Sequence, residues 1–285
     1  MKAVLVGILL AFPGLADAQQ FGLDSGLKPL ETADETKGWE AVGRIDIGSN
    51  SFCTGALIAP DLVLTAAHCL YDRDSHARFQ PADFTFMAGL RNGRAVATRH
   101  VRRVMAHPAY VYRGPENVDA TAYDLALLQL DQPVRLPQVA PYRTGGDPAP
   151  GDKVEVVSYA IDRSEAPSLQ QACHVLDPQA GMDLFSCSVD FGSSGAPIFA
   201  MRGTTPEIVS VVSAKAVLDG KPVSLGARMA QPLAELLAAF AAPEPAPTVA
   251  PPAPAPVQVQ ATAPRRLPQI GGTGAGGGGA KFLTP

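Results

Sequence analysis

Between Trp39 and Met229 the chain repeats one habit: a short run of apolar and β-branched residues, then a break at Gly, Pro, Asn or Asp. The runs cover 41–47, 54–59, 62–65, 83–88, 96–104 and 124–130, then 153–160, 170–176, 196–200, 207–214 and 224–229. Many short strands at fairly regular spacing predict an all-β architecture, sandwich or barrel. A Pro- and Gly-rich bridge over 131–152, containing Gly145-Gly146-Asp147-Pro148, divides the runs into two halves of similar size, 39–135 and 150–241. One segment breaks the pattern. Leu233, Leu236, Leu237 and Phe240 fall at i, i+3, i+4 and i+7, which predicts a C-terminal helix opened by Pro232, with its stripe packed on the second half.

The two ends read differently. Met1-Lys2, an apolar stretch over 3–12 and Ala16-Asp17-Ala18 have the layout of a signal peptide over 1–18, cut after Ala18. Ten apolar residues rise only about 15 Å as a helix, about half a bilayer core, so no integral membrane segment is expected after cleavage. Residues 19–38 have no sustained period and form an N-terminal arm. The last 43 residues hold ten Pro and seven Gly. Such a composition cannot bury enough apolar surface to offset its ordering entropy, so 242–285 is expected as a disordered tail.

Composition removes further classes. With 46% hydrophobic residues the chain can bury a sizeable core, and 23 Lys+Arg against 27 Asp+Glu leave a formal charge of −4. Basic runs never exceed the pairs Arg102-Arg103 and Arg265-Arg266, so nucleic acid is not an expected partner. An exported chain, secreted or periplasmic, reads its four cysteines as disulfides. Four cysteines allow three connectivities; Cys53–Cys69 with Cys173–Cys187 is expected, because each pair is close in sequence and within one half. Neither Cys173-His174 nor the acidic turn at 71–74 has metal-ligand spacing, so no metal and no cofactor is assigned.

Three segments carry chemistry. In Leu64-Thr65-Ala66-Ala67-His68-Cys69 a histidine, able to exchange a proton near neutrality, ends a strand. In Asp124-Leu125-Ala126-Leu127-Leu128 a carboxylate heads an apolar strand, where it stays ionised only beside a donor. In Asp190-Phe191-Gly192-Ser193-Ser194-Gly195-Ala196-Pro197 glycines flank two serines, allowing a tight turn whose backbone N–H groups converge beside a hydroxyl.

Together these resemble the trypsin/chymotrypsin-like serine peptidases, in the bacterial, exported branch. Cys53-Thr54-Gly55-Ala56-Leu57-Ile58 with Thr65-Ala66-Ala67-His68-Cys69 looks like the family's first disulfide and histidine motif, Asp124-Leu125-Ala126-Leu127-Leu128 its aspartate motif, and Ser194-Gly195-Ala196-Pro197 its nucleophile motif. The chain order His, Asp, Ser is also the family's. The resemblance spans about 39–241. It implies two six-stranded antiparallel β-barrels, a triad of His68, Asp124 and Ser194, and an oxyanion hole made by the Gly192 and Ser194 N–H groups. The resemblance implies Ser194 rather than Ser193 as the nucleophile, because the family's motif has Gly next and Pro three residues on, and only Ser194 meets both. The implied activity is a monomeric serine endopeptidase acting on polypeptides through an acyl-enzyme. The alternative is a catalytically inactive binding or adhesion module on the same fold.

Departures from the family matter equally. Trypsin-like zymogens release an Ile-Val-Gly-Gly amino terminus whose ammonium pairs with an Asp before the nucleophile. This chain has no Ile-Val-Gly-Gly, and Ser193 stands at the Asp position, so that activation route is not expected. Ser188 occupies the register where trypsins carry a pocket acid, which removes the basis for Lys or Arg preference. Ser213, Ala214 and Lys215 match the strand that pairs with substrate; Lys215, if it points inward, would favour an acidic side chain. Gly226 matches the glycine on the opposite wall. His107, in His107-Pro108-Ala109-Tyr110, matches a structural family loop.

Overall fold

The computed structural model describes residues 26–114, 118–176, 178, 181–218 and 220–243. The expected leader, the start of the arm and the tail from 244 lie outside the described residues. Fourteen strands are described: β1 Lys28–Pro29, β2 Val42–Ile47, β3 Ser51–Ala59, β4 Leu62–Thr65, β5 Phe84–Ala88, β6 Ala97–Ala106, β7 Ala126–Leu130, β8 Arg143–Thr144, β9 Lys153–Ala160, β10 Arg163–His174, β11 Met182–Phe185, β12 Pro197–Arg202, β13 Thr205–Leu218 and β14 Lys221–Arg228; one helix, α1 Ala230–Ala241, follows.

The first six long strands close into an antiparallel barrel in the order β2-β3-β4-β7-β6-β5. Strict alternation in β5 turns Phe84, Phe86 and Ala88 inward, where they meet buried Ile45, Leu57 and Leu64. β7 is buried on nearly every side chain because α1 packs against it, so it reads as a nearly continuous apolar run. The second sheet runs β10-β9-β12-β13-β14-β11. A bridge between Val175 and Phe185 joins its two ends, so these strands wrap as a second six-stranded barrel. β1 adds to the outside of β10 through Lys28–Leu169 and Pro29–Ser168. β8 lies parallel to β13.

Three details depart from the sequence reading. The helix begins at Ala230, two residues before Pro232. A proline in the first turn loses nothing there, since those N–H groups have no intrahelical partner in any case. Asp147 Oδ1 takes the Met229 and Ala230 N–H groups at 3.0 Å each and so caps the helix. The helix also packs on the first barrel rather than the second. Arg103 of β6 donates to Phe240 O at 3.0 Å, with its guanidinium 4.2 Å over that ring, and His107 Nε2 stands 3.3 Å from Glu235 Oε2. An apolar stripe announces that a face is buried, not against what.

The third departure is β11, which the apolar pattern missed because Asp183 sits in its middle. That carboxylate is 1% exposed. Arg228 Nε lies 3.4 Å from Oδ1, while Oδ2 has no hydrogen-bond partner. Burial, opposed by Arg228 and reinforced by nearby Asp147, pushes the carboxyl up to about 6. The folded state therefore holds this proton more tightly than the unfolded chain, so the stability cost of ionising it builds up as pH rises from about 4, the ordinary value, to about 6 and is constant above that. Asp183→Asn should raise the thermal midpoint relative to wild type at about pH 8, with the advantage shrinking as pH falls from about 6 and gone by about 4; melting curves across pH check this.

Candidate active site

The register of two strands places the first two groups. β4 ends at Thr65 and β7 starts at Ala126, and these residues pair directly. The chain leaving β4 makes a short 3₁₀ turn, Ala67–Leu70, carrying His68. The chain entering β7 leaves a 3₁₀ turn, Val118–Tyr123, just before Asp124. Neither residue is inside a strand; both flank adjacent strand ends. Cys53 is joined to Cys69, which ties the histidine turn to β3. The other disulfide joins Cys173 to Cys187.

Asp124 has a side chain 3% exposed and meets donors on several sides. His68 Nδ1 lies 2.6 Å from Oδ2, and the His68 backbone N–H donates to Oδ1 at 2.8 Å. Ser213 Oγ, from β13 of the second barrel, also donates to Oδ2. Ser213 reaches it because the pairing of β13 with β14 slips between Val212 and Ala214, a bulge that re-aims the side chain. Sequence matching assigned Ser213 to the substrate strand and missed this contact; register slips carry no residue-level signal. Burial disfavours a charged His68, but the attraction of Asp124 and its hydrogen bond outweigh it, and the imidazole is raised above its ordinary value.

The serine loop comes from the second barrel. Gly192 and Gly195 take φ values of 95° and 78°, a region L side chains rarely enter. A Cβ on Gly195 would also run into Thr65 Oγ1 and Thr54 O. The loop lies directly on β3. Thr54 N donates to Ser194 O at 2.8 Å, Thr54 Oγ1 donates to Gly192 O at 2.8 Å, and Gly195 N donates to Val212 O at 2.8 Å. Among the described residues the N–H groups of Gly192 and Ser194 donate to no protein acceptor. They remain available to an external oxygen.

His68, Asp124 and Ser194 line one cleft of about 620 Å³. Among the described residues no hydrogen bond joins Ser194 Oγ to His68; such bonds often close only around substrate. Gly192, Ser213, Ala214 and Lys215 also line the cleft, whereas Ser188 and Gly226 do not. Ser188 N donates to Gln170 Oε1 at 2.7 Å, and a Cβ on Gly226 would meet Ser210 Oγ and Phe185 in the barrel interior. Lys215 Nζ sits 2.7 Å from Asp190 Oδ1 and 4.3 Å over the Phe191 ring. Arg73, from the first barrel, stands 5.0 Å from the same ring. Tyr71 and Tyr112 stack at 4.7 Å on the histidine side of the cleft. Composition hid this aromatic wall, because its members are far apart in sequence. Cys53, His68 and Cys69 offer potential metal donors within 4.8 Å of one another, but both sulfurs are spent in a disulfide and His68 Nδ1 is engaged by Asp124. They make no usable ligand set.

The profile of the Trypsin family matches residues 31–225. The chain belongs to this family. Among curated proteins it is 34% identical over 92 residues to the suppressor of tumorigenicity 14 protein homolog of Bos taurus, covering 30% of this chain and 10% of that protein. It is 39% identical over 84 residues to human granzyme M, covering 29% of this chain and 28% of that protein. The chain thus matches less than a third of either relative's length. Among solved structures, a Glu endopeptidase bound to MPD superposes with a TM-score of 0.62 at 20% identity, over 77% of this chain and 98% of that one. A scabies mite inactivated protease paralogue gives 0.56 at 15% identity, over 72% and 93%. At such identities the superpositions speak for the trypsin-like fold alone. Among the described residues no helix is long and apolar enough to cross a membrane.

In this family member the His68–Asp124 contact makes a measurable claim. NMR titration of His68 should give a midpoint above the ordinary histidine value of about 6.5. Asp124→Asn should pull it below the wild-type midpoint, because the charge attraction of Asp124 is lost.

Proposed function

We propose that this chain is an exported serine endopeptidase. The observation that carries the reading is a single cleft holding the Asp124–His68 pair, the Ser194 hydroxyl and two backbone N–H groups, of Gly192 and Ser194, with no protein acceptor. In this reading Ser194 Oγ attacks the scissile carbonyl while His68 takes its proton. Asp124 holds Nδ1–H of the imidazole, fixes the tautomer and stabilises the imidazolium. The carbonyl oxygen becomes an oxyanion facing Gly192 and Ser194 N–H; one such donor contributes about 3 kcal/mol in comparable enzymes. The imidazolium then protonates the leaving amine, and water, deprotonated by His68, hydrolyses the acyl-enzyme. No cofactor enters these steps. Polypeptides are the substrates, and the chain acts as a monomer in a secreted or periplasmic setting, where its two disulfides persist.

The cleft also constrains selectivity. Ser213, Ala214 and Lys215 are the residues placed to pair with substrate, and the ammonium of Lys215 is already matched by Asp190. An acidic side chain would compete with Asp190 for it. The wild type is therefore expected to show little acidic preference. Asp190→Asn should raise kcat/KM for acidic over neutral side chains by about 2- to 5-fold, the scale of a half-exposed ion pair; paired fluorogenic peptides measure the ratio.

The direct test is covalent. A fluorophosphonate probe should label the chain at Ser194, and Ser194→Ala should abolish both the label and cleavage, with kcat reduced by about 10⁶-fold. A chain that neither takes the probe nor cleaves a denatured protein would leave the binding-module alternative standing.

A further inference from the structure

One buried group in the nucleophile loop is not used by this chemistry. Ser193 directly precedes Ser194 and has 0% exposure. Its hydroxyl accepts from Asp190 N–H at 3.3 Å and from Arg163 Nη2 at 3.3 Å. Its own proton has Tyr159 O and Ser158 Oγ as acceptors, each at 3.2 Å. Ser193 N–H in turn donates to Asp190 O at 2.8 Å. Residues 190–193 are thus a turn closed twice by Ser193, and Gly192, which lines the cleft and whose N–H has no protein acceptor among the described residues, sits inside it.

Arg163 reaches this turn from beneath. It opens β10 opposite Ala160, at the tip of the β9–β10 hairpin. Its side chain is 13% exposed, and Nη1 donates to Ser158 O at 2.7 Å and to Ser158 Oγ at 3.1 Å. The nearest carboxylate, Asp162, is 3.7 Å away and 71% exposed, so solvent screens it. Burial pulls the guanidinium down from its ordinary value, with Asp162 and Asp190 opposing, yet an arginine stays charged. A cation this deep is tolerated only if its N–H groups find acceptors, and here those acceptors belong to β9 and the nucleophile loop.

We propose that Arg163 is a positioning residue which, through the Ser193 hydroxyl, holds the Gly192 and Ser194 N–H groups in oxyanion-binding geometry, so that the loop is competent without a newly generated amino terminus. The inference rests on the serine-peptidase reading above. It also accounts for Ser193 in place of an acid. A carboxylate beside Arg163 would be a strong ion pair, but a hydroxyl can accept from the cation and donate to Tyr159 O at once. In the described part of the arm, residues 28–30 pair with β10, and none of residues 26–38 lines the cleft.

The test uses the full chain with a chromogenic peptide substrate. Arg163→Ala should lower kcat by about 100-fold, the scale of losing one oxyanion donor, with KM changed by no more than about 2-fold. The acid limb of the pH profile, set by His68, should stay in place. Millimolar guanidinium should restore much of the lost rate in Arg163→Ala and leave wild type unaffected. Ser193→Ala should also lower kcat, and the double variant should be no slower than the slower single variant, because both act through one contact. If Arg163→Ala does not fold, Ser193→Ala and the partial activity retained by Arg163→Lys carry the same comparison. Wild-type kcat in Arg163→Ala, additive losses in the double variant, or a loss that guanidinium cannot relieve would overturn the inference while an active wild type keeps the peptidase reading. A wild type inert to both substrate and fluorophosphonate would overturn that reading and this inference together.

Discussion

The molecule is organised around one buried carboxylate. Asp124 is nearly inaccessible and, in that position, an ionised acid must be surrounded by donors or give up its charge. Its donors come from both halves of the chain: the His68 ring and backbone from the first barrel, Ser213 from the second. The carboxylate therefore does two things with one set of contacts. It orients the imidazole, and it fixes how β13 of the second barrel docks beside the 3₁₀ turns of the first. Thr54 makes the reciprocal tie, with β3 of the first barrel gripping the Ser194 loop of the second through backbone and hydroxyl. The cleft between barrels is consequently not a gap left by packing. It is bounded by hydrogen bonds that tie the two barrels together.

What was legible in the sequence follows from which forces act locally. Period-2 alternation is a local property, so β2, β4, β5 and β9 were visible as runs of apolar residues. The residues of the cleft were visible for a different reason: His68-Cys69, the Asp124 run and Ser194-Gly195-Ala196-Pro197 are short, and each sits where a strand meets a turn. β11 was not legible, because a buried Asp183 interrupts its apolar pattern and is compensated by Arg228, which lies 45 positions away in the chain. Nor was the docking of α1, whose partners Arg103 and His107 lie more than a hundred residues earlier. The bulge that turns Ser213 toward Asp124 was hidden too, since a register slip is decided by the whole pairing of β13 with β14. Long-range compensation and register are set by tertiary context, and no window of sequence contains them.

The loop at 190–195 shows how backbone constraint and side-chain chemistry divide the work. Positive φ at Gly192 and Gly195, with no room for a Cβ at Gly195 against Thr54 and Thr65, sets the path of the chain. Those constraints alone would still leave the Gly192 peptide free to turn, because glycine is the residue with the least resistance to rotation. Something must hold the plane of that peptide. Ile161 N–H holds Phe191 O, the carbonyl of the peptide that carries the Gly192 N–H, at 2.8 Å, and Thr54 Oγ1 holds Gly192 O, the carbonyl of the next peptide, from the first barrel. The two restraints act on opposite sides of a flexible residue, which is how a permissive backbone becomes a defined one.

The two surfaces of this loop differ in dielectric, and that difference separates rate from selectivity. Beneath it, Ser193, Ser158 and Tyr159 are buried, so their hydrogen bonds are little weakened by salt or water. Above it, Lys215 and Asp190 are each about half exposed, and Phe191 carries Lys215 and Arg73 on its ring in contact with solvent. Interactions there are screened and individually small. Substitutions at Asp190, Phe191 or Lys215 can therefore change what the cleft accepts at little cost to the peptide geometry underneath. In the proposed mechanism a substitution in the buried layer acts on every substrate alike, because it reaches the proposed oxyanion donors before it reaches any side chain of the substrate.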